Sequence, residues 1–204
     1  MVSSASAQSP KVGREVKEVE VKEVGKGAAA KYFTKENDST KSTSHSDSGN
    51  SLMLLAGPYV NSASYNWKGS DKRTGIAKNS YGVTYLLDQW HNIDVNIRGD
   101  FSDYEIDDER LLKFSIMPLW TLPLIETRFP LYFGLGTGLG IFFKQIDQES
   151  NLSFDYQLVM GLRVPDLFEN VGPVIEFGMK NHLHLLSDGQ LNATSLTVGA
   201  IFSF

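Results

Sequence analysis

The sequence lacks several features that would assign it to a common class of protein. It has no cysteine, which excludes a disulfide framework and any thiolate metal site. It has no run of 18 apolar residues, so a membrane-spanning helix is not expected. Its net charge of −5 excludes a strongly basic protein that binds nucleic acid. What is left is a chain of 204 residues, long enough for one domain and a tail.

The composition changes near residue 50. Residues 8–50 contain EVKEVEVKEV and the polar run NDSTKSTSHSDSGN, which has too few apolar residues to form a core. The first seven residues hold Ala5-Ser6-Ala7, a small-x-small pattern typical of a signal-peptidase site, but no apolar segment precedes it. Residues 1–7 are therefore either the remnant of a secretion signal or a serine-rich start. We predict a flexible tail over residues 1–50 and a folded domain over residues 51–204.

The folded part alternates between apolar and polar residues. In NIDVNIRGDFS, residues 92–102, odd positions are apolar or glycine and even positions are polar or charged. This period of two is typical of a β-strand with two different faces. The pattern predicts an all-β domain of eight strands, at about residues 51–67, 78–88, 92–104, 109–122, 130–145, 151–164, 171–185 and 191–204.

Two architectures are compatible with these strands. A soluble sandwich or barrel buries the apolar face, whereas an outer-membrane barrel turns it toward lipid. Several predicted strands have 11–16 residues, which is long for soluble strands and sufficient to cross a membrane at a tilt. Aromatic residues of the apolar face also gather near the strand ends, as expected for side chains at two lipid interfaces. They are Phe101, Trp120, Phe133, Phe143, Phe154, Tyr156 and Phe202.

The last four residues, IFSF, strengthen the membrane interpretation. This segment resembles the final strand of bacterial outer-membrane β-barrels, in which a terminal aromatic residue, here Phe204, is read by the barrel-assembly machinery. The strand number resembles that of the small OmpA/OmpX-type barrels. The resemblance implies an eight-stranded antiparallel transmembrane β-barrel in the outer membrane of a Gram-negative cell, with outer-membrane lipid and the assembly machinery as partners.

Four glycines occur at every second position of YFGLGTGLGIFF, residues 132–143. Their spacing matches neither G-x-G-x-x-G nor G-x-x-x-x-G-K-[ST], which excludes the usual nucleotide-binding loops. On a strand, this spacing places all four on one face. Because the lumen of an eight-stranded barrel is only wide enough for side chains, we predict that the glycines make room for bulky or charged side chains from across the barrel.

The polar face of the strands predicts a charged lumen. Since unpaired buried charges are very costly, we expect its four carboxylates and four fixed cations to form ion pairs that plug the barrel. Strand direction predicts Asp94, Arg163 and Glu176 near the periplasm, and Arg98 and Lys180 further toward the middle of the barrel. A narrow proton or ion path through the same charges is the alternative, whereas wide diffusion requires more strands. The predicted lumen residues are Asp94, Arg98, Asp100, Lys113, Asp155, Arg163, Glu176, Lys180, His182 and His184.

The segment NHLHLLSDG, residues 181–189, raises the question of catalysis. It weakly resembles the H-x-S segment of the eight-stranded lipid A 3-O-deacylases, whose histidine and serine face lipid. Here no H-x-S occurs, His182 and His184 are predicted to point inward, and no glutamate follows Ser187 to orient a base. His-x-His lacks an evident third metal ligand. We therefore predict no enzyme activity, no metal and no cofactor, with a lipid A hydrolase as the alternative.

These features favour a structural or interaction role. With an even number of strands, both ends of the barrel domain lie on the same side of the membrane, which we expect to be the periplasm. Residues 8–50 would then hang in the periplasm, within reach of a protein or the cell wall. No nucleic-acid partner is expected, and the loops on the other side would be presented outside the cell.

Overall fold

The computed structural model describes residues 49–66, 72–106, 108–124, 130–145, 149–165 and 167–204. The predicted tail therefore lies outside the described residues, apart from residues 49 and 50, and its boundary stays a prediction. Within the described residues, no helix has the length and hydropathy needed to cross a membrane. The strands are β1 (Ser51–Tyr65), β2 (Arg73–Thr74), β3 (Ala77–Trp90), β4 (Ile93–Ile106), β5 (Glu109–Pro123), β6 (Leu131–Phe142), β7 (Leu152–Arg163), β8 (Val171–His184) and β9 (Gln190–Ser203).

Eight of these strands form a closed antiparallel barrel. Each of the eight pairs with its neighbour along the chain, and β1 also pairs with β9 to close the sheet. The short β2 is an extra two-residue strand paired with the end of β1. The predicted all-β fold with eight long strands is confirmed. The strand predicted over 130–145 ends earlier, at Phe142, and Phe143 lies in a bend.

The strands are strongly staggered around the barrel. One continuous row of paired residues begins at Leu131 on β6 and returns to the same strand at Ile141, ten positions further along. Such a stagger requires strands tilted by about 35–45° from the barrel axis. The row passes through Leu131, Leu162, Ile175, Val198, Ala56, Tyr81, Phe101, Phe114 and Ile141.

The alternation of the sequence separates the two faces of the wall. On β5, Lys113 and Ser115 point inward and are buried, whereas Leu112 and Ile116 point outward and are exposed. Because a closed sheet satisfies its backbone hydrogen bonds internally, this apolar outer surface can face lipid. The predicted interface aromatics lie on the outer face, where Phe101, Trp120, Phe133, Phe143 and Phe154 are exposed and Tyr156 and Phe202 are half-buried.

Proline interrupts the hydrogen-bond ladder between β5 and β6. Pairing is continuous from Lys113 to Ile116 and resumes at Leu119, so that Met117 and Pro118 have no ladder partner on β6. Proline has no N–H to donate, so the ladder lacks a hydrogen bond at this point. The register is the same on either side of the gap. The barrel therefore keeps its stagger despite a proline in a membrane-length strand.

Candidate functional site

The ten residues predicted for the lumen all lie on the inner side of the wall. Eight of them are at most 2% exposed, His184 is 7% exposed, and the side chain of Arg163 is 16% exposed. Each of the four carboxylates is within ion-pair distance of at least one of the four fixed cations. The fixed charges in this part of the lumen therefore balance.

Arg98 holds the central group of charges. Its guanidinium lies 2.7 Å from Glu176 Oε1 and 3.1 Å from Asp100 Oδ2. Lys180 Nζ lies 2.9 Å from Asp100 Oδ1, and the hydroxyl of Tyr132 donates to Glu176 at 2.7 Å. These contacts join β4, β6 and β8 across the lumen, which makes Arg98 the hub of the network.

The pairing of Arg98 with Glu176 corrects the expected arrangement by height. Sequence reasoning placed Glu176 near the periplasmic end and Arg98 further up. The strand bounds explain this pairing, because Arg98 and Glu176 are each the sixth residue of a 14-residue strand, and both strands start at the end of the barrel where β1 begins. Glu176 therefore stands at the level of Arg98.

Lys113, Asp155 and His182 form a second group of charges, on β5, β7 and β8. Lys113 Nζ is hydrogen-bonded to Asp155, and His182 Nδ1 lies 2.9 Å from Asp155 Oδ1. His182 Nε2 lies 3.0 Å from the hydroxyl of Tyr104. This histidine is thus enclosed by polar partners on both ring nitrogens, which gives it a structural place in the network.

A third pair lies toward the end of the barrel that carries both chain ends. Arg163 is hydrogen-bonded to Asp94, which also accepts from Gln89 Nε2 at 2.8 Å. The guanidinium of Arg163 lies 5.2 Å from the ring centre of Tyr132. This stacking orients Arg163 beneath the central group.

Apolar side chains, which the sequence analysis did not predict in the lumen, complete the plug. One cluster near the chain ends includes Leu119, Tyr132 and Val174, and another near the opposite end includes Tyr104 and Leu111. All five are at most 1% exposed. Their inward position follows from the alternation of side chains along each strand. The apolar residues that occupy otherwise polar inward positions could have predicted these layers from the sequence. They are Leu111, Leu119, Val159 and Val174. The ion pairs of Arg98 and Lys113 therefore lie between two apolar layers, and the Arg163–Asp94 pair lies at the lower layer.

The glycines of β6 do make room for side chains, but for those of adjacent strands. At Gly136, an added Cβ would lie 3.0 Å from Met117 Sδ on β5 and 3.3 Å from Gln157 Cγ on β7. At Gly140, it would collide with Lys113 and Asp155. The expectation of contacts from across the barrel is wrong here, because neighbouring strands are closer than opposite ones in the staggered wall.

The loops that follow β6 and β8 meet at the other end of the barrel. Ser187 Oγ donates to Glu149 Oε2 at 2.6 Å, and His184 Nδ1 donates to the carbonyl of Ser150 at 2.6 Å. No glutamate follows Ser187 in the chain, but Glu149, on the loop after β6, accepts the hydrogen bond from its hydroxyl. The hydroxyl is directed to the carboxylate, whereas a nucleophilic serine needs a base such as histidine at its hydroxyl.

His184 lies in a different part of the lumen from His182, next to Phe142. Its ring stacks on Phe142 with 5.1 Å between ring centres and 18° between planes. Among the described residues, no group of three or more histidines, acidic residues or cysteines could hold a metal ion. His182 and His184 thus take different roles, one inside the charged network and one beneath the loops.

The sequence matches no protein-family model and no curated protein. Solved structures similar to this fold include the outer membrane enzyme PagL (TM-score 0.51, 15% identity, 76% of this chain and 99% of that chain covered). Others are Neisserial surface protein A (0.49, 13%, 77% and 98%) and Ail, the attachment invasion locus protein of Yersinia pestis (0.47, 16%, 76% and 99%). At these identities the likeness shows the fold alone. The chain has the fold of the small eight-stranded outer-membrane barrels, which confirms the resemblance of its sequence.

Proposed function

We propose that this protein is a closed outer-membrane anchor with an interaction role, which presents loops outside the cell and a tail in the periplasm. The observation that carries this proposal is the closed lumen, in which paired charges lie between two apolar layers. A wall of eight strands leaves no room for a solute path beside these side chains. The function then belongs to the parts outside the membrane.

The partners follow from the same arrangement. Outer-membrane lipid covers the apolar outer face, and the last strand, with Phe204 exposed at its end, is offered to the barrel-assembly machinery. A periplasmic protein or the cell wall is the proposed partner of residues 8–50. The alternating charges of residues 15–24 suit a partner that adds a strand or binds a short helix.

We expect the purified protein to show no stable conductance in planar lipid bilayers. Ions would have to break buried pairs such as Arg98–Glu176 and also cross the apolar layer around Leu119. Single-channel recording of the full chain measures this directly. Stable conductance steps in the nanosiemens range, present in every preparation, would contradict the closed lumen and favour the alternative of an ion-conducting channel.

Removal of residues 8–50 is expected to leave barrel folding unchanged and to abolish periplasmic cross-links formed by the full chain. Strands within residues 51–204 close the sheet, and their side chains fill the lumen. A flexible coil of this length would average about 35–40 Å from end to end, and full extension would give about 140 Å. Heat-dependent gel mobility reports folding, and cross-linking in cells reports contacts. If the truncated chain fails to fold, the folded domain includes part of residues 8–50.

We also expect no release of fatty acid from lipid A in detergent or in vesicles. The contact between Ser187 and Glu149 supports a staple between two loops, because the Ser187 hydroxyl donates to this carboxylate and His184 Nδ1 donates to the carbonyl of Ser150. Chromatography of the extracted lipid after incubation measures release. Fatty acid release by the unchanged chain that disappears in Ser187→Ala would assign the protein to the lipid A hydrolases.

A further inference from the structure

A groove of about 540 Å³ crosses the outer face of the barrel from β4 to β8. It lies between two rows of outward side chains, and each row follows the pairing of neighbouring strands. The upper row consists of Trp120, Leu135, Leu158 and Met179, and the lower row of Leu122, Phe133, Met160 and Phe177. All eight side chains are 39–48% exposed, so they stand out from the wall as two ridges.

The floor of the groove is bare backbone. Thr121, Gly134 and Val159 pair with one another between the two ridges, and the side chains of Thr121 and Val159 point into the lumen. A Cβ at Gly134 would lie 2.7 Å from Val159 Cγ2 and 2.9 Å from Thr121 Cγ2. Glycine thus lets both neighbours pack inward, and the outer surface at this row carries no side chain.

The groove has the dimensions of one lipid chain. It spans five strands, and four spacings of about 4.8 Å give a length of about 19 Å. Because it runs perpendicular to strands tilted by about 35–45°, it rises by about 12 Å along the barrel axis. One leaflet of the hydrocarbon core is about 15 Å thick. An acyl chain that enters at one membrane boundary would therefore stay within its own leaflet.

The two ends of the groove differ. Its lower end lies at Ile93 and Leu122, close to the end of the barrel that carries Ser51 and Ser203. At its upper end the next residue of the upper ridge is Thr194, which pairs with Met179 and is too short to continue the wall. An acyl chain can thus enter from the end of the barrel that carries Ser51 and Ser203, and the upper ridge ends at β9.

We propose that this groove binds one acyl chain of an inner-leaflet phospholipid. The choice of leaflet rests on the proposed periplasmic orientation of the chain ends. The ridges carry no charge, so they select the hydrocarbon part of the lipid and leave its head group at the boundary marked by Trp120 and Phe133. Fixed side chains on both sides order this chain more than the lipid around the rest of the barrel.

Trp120 provides a probe within the groove. The chain has three tryptophans, so the double variant Trp67→Phe, Trp90→Phe keeps Trp120 as its single tryptophan. The full-length protein is placed in vesicles that contain phosphatidylethanolamine with a brominated chain in one leaflet at a time. We expect Trp120 to be quenched more than random lipid contact predicts, and only from the leaflet on the side of the chain ends.

The variant that tests the groove removes both ridges at its centre. In Leu158→Ala with Met160→Ala, the excess quenching should be lost. The matched control, Leu139→Ala with Ile141→Ala, removes two outward side chains of β6 outside the groove and should keep it. All variants are compared as folded, heat-modifiable barrels, and retention of one phospholipid in native mass spectrometry gives a second readout.

The outcomes distinguish a failure of acyl-chain binding from a failure of the proposed orientation in the membrane. Equal quenching in all proteins, or no phospholipid retained by the unchanged groove, would overturn the binding proposal. Excess quenching from the opposite leaflet alone would overturn the inner-leaflet assignment when the orientation of the chain ends is known from protease access. If protease access shows the chain ends outside the cell, the proposed orientation fails, while loss of quenching in the groove variant still supports a bound acyl chain.

Discussion

Replacement of Arg98 by alanine is expected to lower the free energy of unfolding by about 3–5 kcal/mol. Arg98 is fully buried and contacts both Asp100 and Glu176. Without it, Asp100 keeps Lys180 as a partner, whereas the side chain of Glu176 keeps, within the described part of the chain, the hydroxyl of Tyr132. A carboxylate left without a cation in the lumen explains the size of the expected loss. Urea unfolding in detergent or vesicles, followed by tryptophan fluorescence, measures it.

Two further variants make this test specific. Val95→Ala removes an outward, half-buried side chain on the same strand and should cost about 1 kcal/mol. Adding Glu176→Gln to Arg98→Ala should restore part of the lost stability, because it removes the unpaired charge. If Arg98→Ala and Val95→Ala unfold at the same urea concentration, Arg98 is not the hub of the network.

Substitution of Gly140 by valine is expected to destabilise the barrel by at least about 3 kcal/mol and to reduce the yield of folded protein. A Cβ at this position would lie 2.7 Å from Ser153 Oγ and still closer to Lys113 and Asp155. The valine therefore overfills the lumen and separates a buried ion pair whose members are at most 1% exposed. The fraction of the heat-modifiable band on gels and the β-sheet circular dichroism measure the effect.

Gly99→Val is the matched control for this substitution. Gly99 lies on the outer face of β4, where the nearest atom to an added Cβ is Phe114 Cε2 at 3.4 Å, an ordinary contact. This variant should fold to the same extent as the unchanged chain. Equal folding of Gly140→Val and Gly99→Val would show that the lumen rearranges to accept a side chain at Gly140, which would contradict this prediction.

The local pattern of the sequence was sufficient for the strands and their two faces. The period of two in residues 92–102 correctly assigned Asp94 and Arg98 to one face and Val95 to the other. That the apolar face is the outer one came from strand length, from the position of the aromatics and from the final IFSF. These are local features. The first two follow from the geometry of a strand in a bilayer, and the last is what the resemblance to outer-membrane barrels implies.

The contacts between distant strands could not be derived in the same way. The sequence placed Glu176 nearer the periplasm than Arg98, although the two side chains are 2.7 Å apart. The contact between Ser187 and Glu149 joins two different loops. Both contacts connect residues far apart in the chain, for which the period of a strand contains no information.

The sequence by itself determined eight membrane-length strands, an apolar outer face and a polar inner face, because side chains alternate along any strand whatever its neighbours are. The tertiary structure decided which inner residues meet. The stagger of ten residues sets the height of every strand against the next, and it joins Arg98 to Glu176 and brings Lys113 to Asp155 beside Gly140. A stagger belongs to the closed barrel as a whole, because closure requires all eight strands to share one tilt.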